Sequence, residues 1–154
     1  MSAVVAGLRL VAVNRETAIA HQAARAMVER MQDTQFADVF ATFNDAPGDD
    51  PGGMNTAPGS LFAVRGLNLQ RGDGDGFAGD VFFPTVTDGA GNPALSEDRA
   101  EPRWGMPRDL NGDGAVTAGV MPDRYMILPV RVRVRWTGTG GDRQIELDHV
   151  FIAH

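Results

Sequence analysis

The chain has neither cysteine nor lysine. Without cysteine there is no disulfide, no thiol nucleophile and no cysteine-ligated zinc, so its 154 residues must hold together through an ordinary core. A chain of that length buries about 68–70% of its unfolded surface, enough for one domain without covalent staples. All fourteen basic residues are arginine, which reads as a coding bias and carries no functional weight. Positive charge is also short overall, with a formal net charge of −6. That balance points away from nucleic acid, which calls for a basic stripe. Fifteen of the twenty acidic residues are aspartate, a preference that goes with turns and with hard-cation binding.

Long apolar runs are missing as well. Residues 1–13 are mostly small and aliphatic with Arg9 as their one charge, and they fall short of the ~20 residues that a membrane-spanning helix needs. They have no basic n-region and no small-residue cleavage site, so they are a poor signal peptide.

Proline is absent from Ala3 to Phe43, and Gly7 is the one glycine there, so helix is expected almost throughout. An unbroken helix of that length would run about 60 Å, twice the ~30 Å of a small domain. It must break, or one end must project. Ile19, Ala23, Ala26, Met27, Arg30 and Met31 recur at three- and four-residue spacings, and all but Arg30 are apolar. Arg15, Glu16, Gln22, Arg25, Glu29 and Gln32 form the polar side. Residues 1–13 have no clear polar side. A break is expected near Asp33 and Thr34, either of which can cap a short second helix with Phe36, Val39, Phe40 and Phe43 as its apolar stripe.

From Asn44 to Ser60 proline and glycine prevent a helix, and the composition is that of a linker. Residues 1–43 are thus a helical segment and residues 44–154 a β-rich head that folds with it. Strands are expected over Leu61–Leu69 and Phe77–Val86, and loop over Thr87–Arg108, with Trp104 and Met106 folded back as a lid on apolar surface. The plainest β signal is Val130, Val132, Val134 and Trp136 alternating with Arg131, Arg133 and Arg135. Thr137–Asp142 is the turn, and Arg143–Ile152 returns. A hairpin centred on that turn sets Val134 against Ile145, Val132 against Leu147, Arg133 against Glu146 and Arg131 against Asp148. Its arginine face is therefore expected to be a solvated, charge-paired surface. The fold class is accordingly α+β, a long N-terminal helix packed on an antiparallel sheet of about four strands.

Asp109, Asn111 and Asp113, followed by Gly114, supply oxygen ligands at positions 1, 3 and 5 of a loop and a glycine at 6, the front half of a calcium loop. Position 12 is Val120 where a bidentate glutamate is required, so calcium would need Asp123, the Ala115 carbonyl and water to complete its shell. The competing reading is a plain Asx-rich turn. A second acidic group, Asp73, Asp75 and Asp80, reads first as a hairpin loop. His21, His149 and His154 have no metal-triad spacing, His149 being expected half-buried in a strand. No serine sits in a nucleophile elbow and no glycine-rich phosphate loop joins a strand to a helix, so no enzyme is expected.

In this order of parts the chain resembles the type IV pilin superfamily, closest to minor pilins and the minor pseudopilins of type II secretion. Three stretches carry the likeness: Leu8–Met31, similar to the segment where such a helix leaves the membrane and meets its head; the short strands around Phe62 and Phe82; and the closing hairpin Leu128–Trp136 with Arg143–Ile152. The family's basic leader and apolar segment do not precede Met1, so residues 1–13 read as the remnant of a membrane-proximal helix. The resemblance implies a non-catalytic subunit whose partners are other pilin or pseudopilin subunits, anchored at the inner membrane with its head in the periplasm or outside. It also implies a context for structural calcium. The alternative is a free-standing secreted calcium-binding adhesion or carbohydrate-binding module with its helix wholly internal.

Overall fold

A computed structural model of the chain describes residues 3–121 and 124–153. The helix α1 runs over Ala3–Gln32, 30 residues and about 45 Å. Ala20, Ala24, Met27, Val28 and Met31 are its buried positions, spaced by three and four residues. This face lies about one residue round from the expected one: Ala26 and Arg30 are exposed, and Ile19 and Ala23 are half-buried. Alanine explains the difference. At 20 and 24 it lets the helix backbone approach the sheet closely, a role that hydrophobic weight alone does not reveal.

The helix stops after Gln32, where the Asp33 N–H bonds to the Glu29 carbonyl and the Thr34 N–H to that of Met31. Neither Asp33 nor Thr34 caps the next helical turn, contrary to expectation; the Thr34 hydroxyl donates back to the Arg30 carbonyl. A 3-10 turn at Phe36–Asp38 leads into α2, Val39–Phe43, with no side-chain cap on either. The missing cap comes from far along the chain. The Tyr125 hydroxyl donates to the Phe36 carbonyl at 2.7 Å and accepts the Phe40 N–H at 3.1 Å. Val39 and Phe43 are buried, and Phe36 and Phe40 pack against the same core.

The segment from Asn44 to Ser60, linker-like in composition, is a folded loop. Asn44 is buried and its side-chain oxygen accepts the Ala46 N–H, while one Asp50 oxygen accepts the N–H groups of Thr56 and Ala57.

The main sheet is antiparallel, in the order β1-β2-β5-β6. β1 is Leu61–Phe62, β2 Gly79–Phe82, β5 Ile127–Gly138 and β6 Gly141–Ile152. The expected strand Leu61–Leu69 shrinks to two residues, although Asn68 still bridges to Thr137. The expected strand Phe77–Val86 divides at Phe83 and Pro84, because Pro84 has no N–H for a ladder. Its second part is β3, Thr85–Thr87, which pairs with β4, Pro93–Leu95, inside the stretch expected to be loop. Phe62 lies opposite Gly79, and its ring occupies the space where a side chain at 79 would stand.

The long hairpin has the register the alternation requires, Val134 with Ile145, Arg133 with Glu146, Val132 with Leu147 and Arg131 with Asp148. Its turn is tighter than expected, since the strands pair as far as Gly138 and Gly141. Leu128, Val130, Val132 and Val134 have no exposure at all, and α1 packs on β5 and β6. The Ala153 N–H bonds to the Met126 carbonyl, so the odd-numbered residues of β6 present their backbone polar groups to β5. The even-numbered ones, from Asp142 to Ile152, turn their N–H and C=O groups outward along the free edge of the sheet.

Candidate functional site

The first turns of α1 overrun the sheet. Every residue from Val4 to Val11 is exposed, with Leu8 at 67%, Leu10 at 62% and Val11 at 66%. Apolar surface this concentrated is what proteins use to meet other surfaces. No helix among the described residues is long and apolar enough to cross a membrane.

The boundary between the projecting and packed parts falls at Glu16. Its carboxylate accepts from the Thr139 hydroxyl at 2.9 Å and from the Thr139 N–H at 3.3 Å, and the Trp136 indole N–H donates to it at 3.4 Å. The Thr139 hydroxyl above all holds this carboxyl below its ordinary value. Gly138 lies directly beneath, where a β-carbon would collide with Glu16 Oε2. Periodicity puts Glu16 on the polar side of the helix and says nothing more; its partner Thr139 lies 123 residues away, beyond the reach of any local pattern.

The opposite face of the sheet is charge-paired but not openly solvated. Arg131 retains 13% of its side-chain exposure, Arg133 27% and Arg135 24%. Trp104 and Met106 are buried against the apolar core, as expected, and Trp104 also covers part of the cationic face. Its ring lies 4.9 Å from the Arg131 guanidinium, and its indole N–H donates to Asp148. Arg131 Nε reaches Asp148 at 2.6 Å. Burial alone would raise the Asp148 carboxyl; the hydrogen bonds from Arg131 and Trp104 overcome it and hold the group low.

The acidic group Asp73, Asp75 and Asp80 is met by arginine. Asp80 is buried, with Arg133 Nη2 at 3.0 Å and Arg135 Nε at 3.2 Å, and Arg135 Nη2 stands 3.7 Å from Asp73 and 3.6 Å from Asp75. The sequence places these carboxylates in glycine-rich turns, but not opposite β5.

In the turn Asp109–Ala115 the side chains address their own backbone. Asp109 accepts the N–H groups of Gly112 at 2.6 Å and Gly114 at 2.8 Å, Asn111 that of Asp113, and Asp113 that of Ala115. The Gly114 N–H is the main reason the Asp109 carboxyl lies below its ordinary value. Asp123, expected to help complete a calcium shell, lies outside the described residues, as do Met1, Ser2 and His154. Among the described residues no group of three or more histidines, cysteines and carboxylates is placed to hold a metal ion. His149 is half-buried, its ring edge-on to Phe151.

One residue that sequence reasoning misses organises this whole region. Glu97 is fully buried, and its carboxylate accepts the N–H groups of Leu110 at 2.8 Å, Asn111 at 3.2 Å and Thr117 at 2.8 Å. Nothing in Ser96-Glu97-Asp98 marks it, because its partners come thirteen to twenty residues later.

No family model, no curated protein and no solved structure matches this chain.

Proposed function

We propose that the chain is a non-catalytic subunit of a bacterial envelope filament, a minor pilin or minor pseudopilin of the type IV pilin superfamily. Its N-terminal helix holds it to neighbouring pilin or pseudopilin subunits, and its head stands outside the inner membrane. The observation that carries the reading is the division of α1. Residues 4–11 are exposed and largely apolar, whereas Ala20 to Met31 is sized and patterned to pack on the sheet. A helix serving only its own domain has no need of the first part, and the rival module with an internal helix would bury it.

The absence of cysteine makes the test clean. With Leu8→Cys as the one thiol, a maleimide–benzophenone label placed there and irradiated in cells should give cross-linked species in the envelope fraction, and mass spectrometry should find other helix-bearing subunits in them. A monomer recovered free of the envelope would overturn the reading.

The second reading, a calcium-binding module, is supported by the ligand order of Asp109, Asn111 and Asp113. It is opposed by the hydrogen bonds those oxygens already accept. Calorimetric titration of chelator-treated chain tests it: no heat at millimolar calcium removes the calcium-binding module.

A further inference from the structure

A cleft of about 520 Å³ opens beside α2, between it and the β3–β4 hairpin. Phe40, Ala41, Leu95 and Tyr125 supply its apolar lining, and Asp49 and Asp88 its charge. Asp49 is exposed and Asp88 partly so. Backbone N–H groups, that of Asn92 first, hold the Asp88 carboxyl below its ordinary value, so the rim stays negative. Val120 on the lip is an exposed apolar residue, 50% accessible. The cleft is thus apolar within and acidic at the edge.

The N-terminal turns of α1 have the complementary character. Leu8 and Val11 stand on one face at a three-residue spacing, Val4 falls one turn earlier on that face, and Arg9 beside them is the only charge from Ala3 to Asn14. An amphipathic helix entering an apolar groove uses anchors at this spacing, and a flanking cation adds register against an acidic rim. The helix cannot reach its own cleft. Ala37, Phe40 and Ala41 follow the C-terminal end of α1, so the anchors and the cleft lie at opposite ends of an element about 45 Å long.

We infer that the occupant is a second copy: the Leu8–Val11 turn of one chain seats in the α2–hairpin cleft of the next, with Arg9 between Asp49 and Asp88. The contact joins two different surfaces of the same chain, so it repeats head to tail and extends a line of subunits where a two-fold contact would close a pair. This rests on the reading of the chain as a filament subunit and adds to it the surface that receives the helix.

Sedimentation of the purified chain over rising concentration tests the inference. The wild type should associate beyond a dimer. Leu8→Glu spoils the anchor and Val120→Arg spoils the cleft, and each should weaken association at least about tenfold. Both positions face solvent, so circular dichroism should show each variant folded, and Ala37→Arg, also exposed on the cleft lip, is the replacement for Val120→Arg if that variant unfolds. Each variant keeps one intact surface, so mixing Leu8→Glu with Val120→Arg should restore a one-to-one dimer that grows no further. Association of both Val120→Arg and Ala37→Arg at wild-type strength would overturn the cleft, leaving helix-to-helix contact as the route to a filament. A wild type that stays monomeric throughout, or a mixture that stays monomeric, would overturn it equally, and neither would touch the cross-linking result on which the filament reading stands.

Discussion

Glu16 and Thr139 join the helix to the tip of the long hairpin through both the hydroxyl and the backbone N–H of the threonine. The carboxylate fixes where α1 stops being part of the head and begins to project. Replacing Glu16 with alanine removes these bonds and the one from Trp136. The group is partly exposed, so the expected loss is only about 1 kcal/mol in urea unfolding. Trp136 fluorescence should shift in the folded variant, since its indole N–H loses its acceptor. Unchanged fluorescence would mean the contact is not held in solution.

The same carboxylate gives a pH dependence of known sign. Glu16 and Asp148 are both held below their ordinary values in the fold. The stability they contribute is present above the ordinary carboxylate range and is lost as pH falls through the depressed values. Each contacts a tryptophan, Trp136 and Trp104 respectively. Acid titration followed by tryptophan emission should therefore show a change below the ordinary carboxylate range, and Glu16→Gln should remove the Trp136 part while leaving that of Trp104.

Tyr125 should titrate late. It is the only tyrosine, and burial raises its hydroxyl to about 12. A raised value means stability is intact below the unfolded value of about 10 and is lost as pH climbs from there through the folded one. Phenolate absorbance of the single tyrosine reads this directly. A midpoint near that of free tyrosine in folded protein would contradict the hydroxyl's place between Phe36 and Phe40.

Glu97→Ala should be among the most damaging substitutions outside the apolar core. It leaves three buried or half-buried N–H groups without their acceptor, a loss on the order of 3 kcal/mol or more. Glu97→Gln keeps the shape and some acceptor capacity, so it should cost less. Hydrogen exchange should locate the damage: the amides of Leu110, Asn111 and Thr117 lose protection while those of β5 keep theirs.

Asp80→Ala strips Arg133 and Arg135 of their closest shared carboxylate. Both guanidiniums keep some solvent, so the expected cost is about 2 kcal/mol, below the value for a fully buried pair. Denaturant midpoints of Asp80→Ala and Asp80→Asn check it, the isosteric variant being the milder.

Local repetition is the part of this fold that is legible in the sequence. The Val/Arg alternation of β5 specifies its register with β6, because a slip by one residue would exchange the two faces. The division of α1 is visible in its composition, and α+β follows from one long helix and a strong hairpin. Residues whose role depends on distant partners are not visible. Glu16, Glu97 and Tyr125 all act across long stretches of chain, and none sits in a motif. Nor can the pattern show that Ala20 and Ala24 matter through their small size, or that the acidic loop at Asp73 and Asp75 folds against Arg135.

The outward N–H and C=O groups of β6 set a limit on crowding. An open strand of twelve residues invites a foreign strand to add to the sheet. Along that margin Asp142, Glu146 and Asp148 interrupt the apolar side chains, and strands approaching edge to edge would bring like charges together. Glu146 and Asp148, which anchor Arg131 and Arg103, therefore also keep closely packed heads from knitting into one sheet.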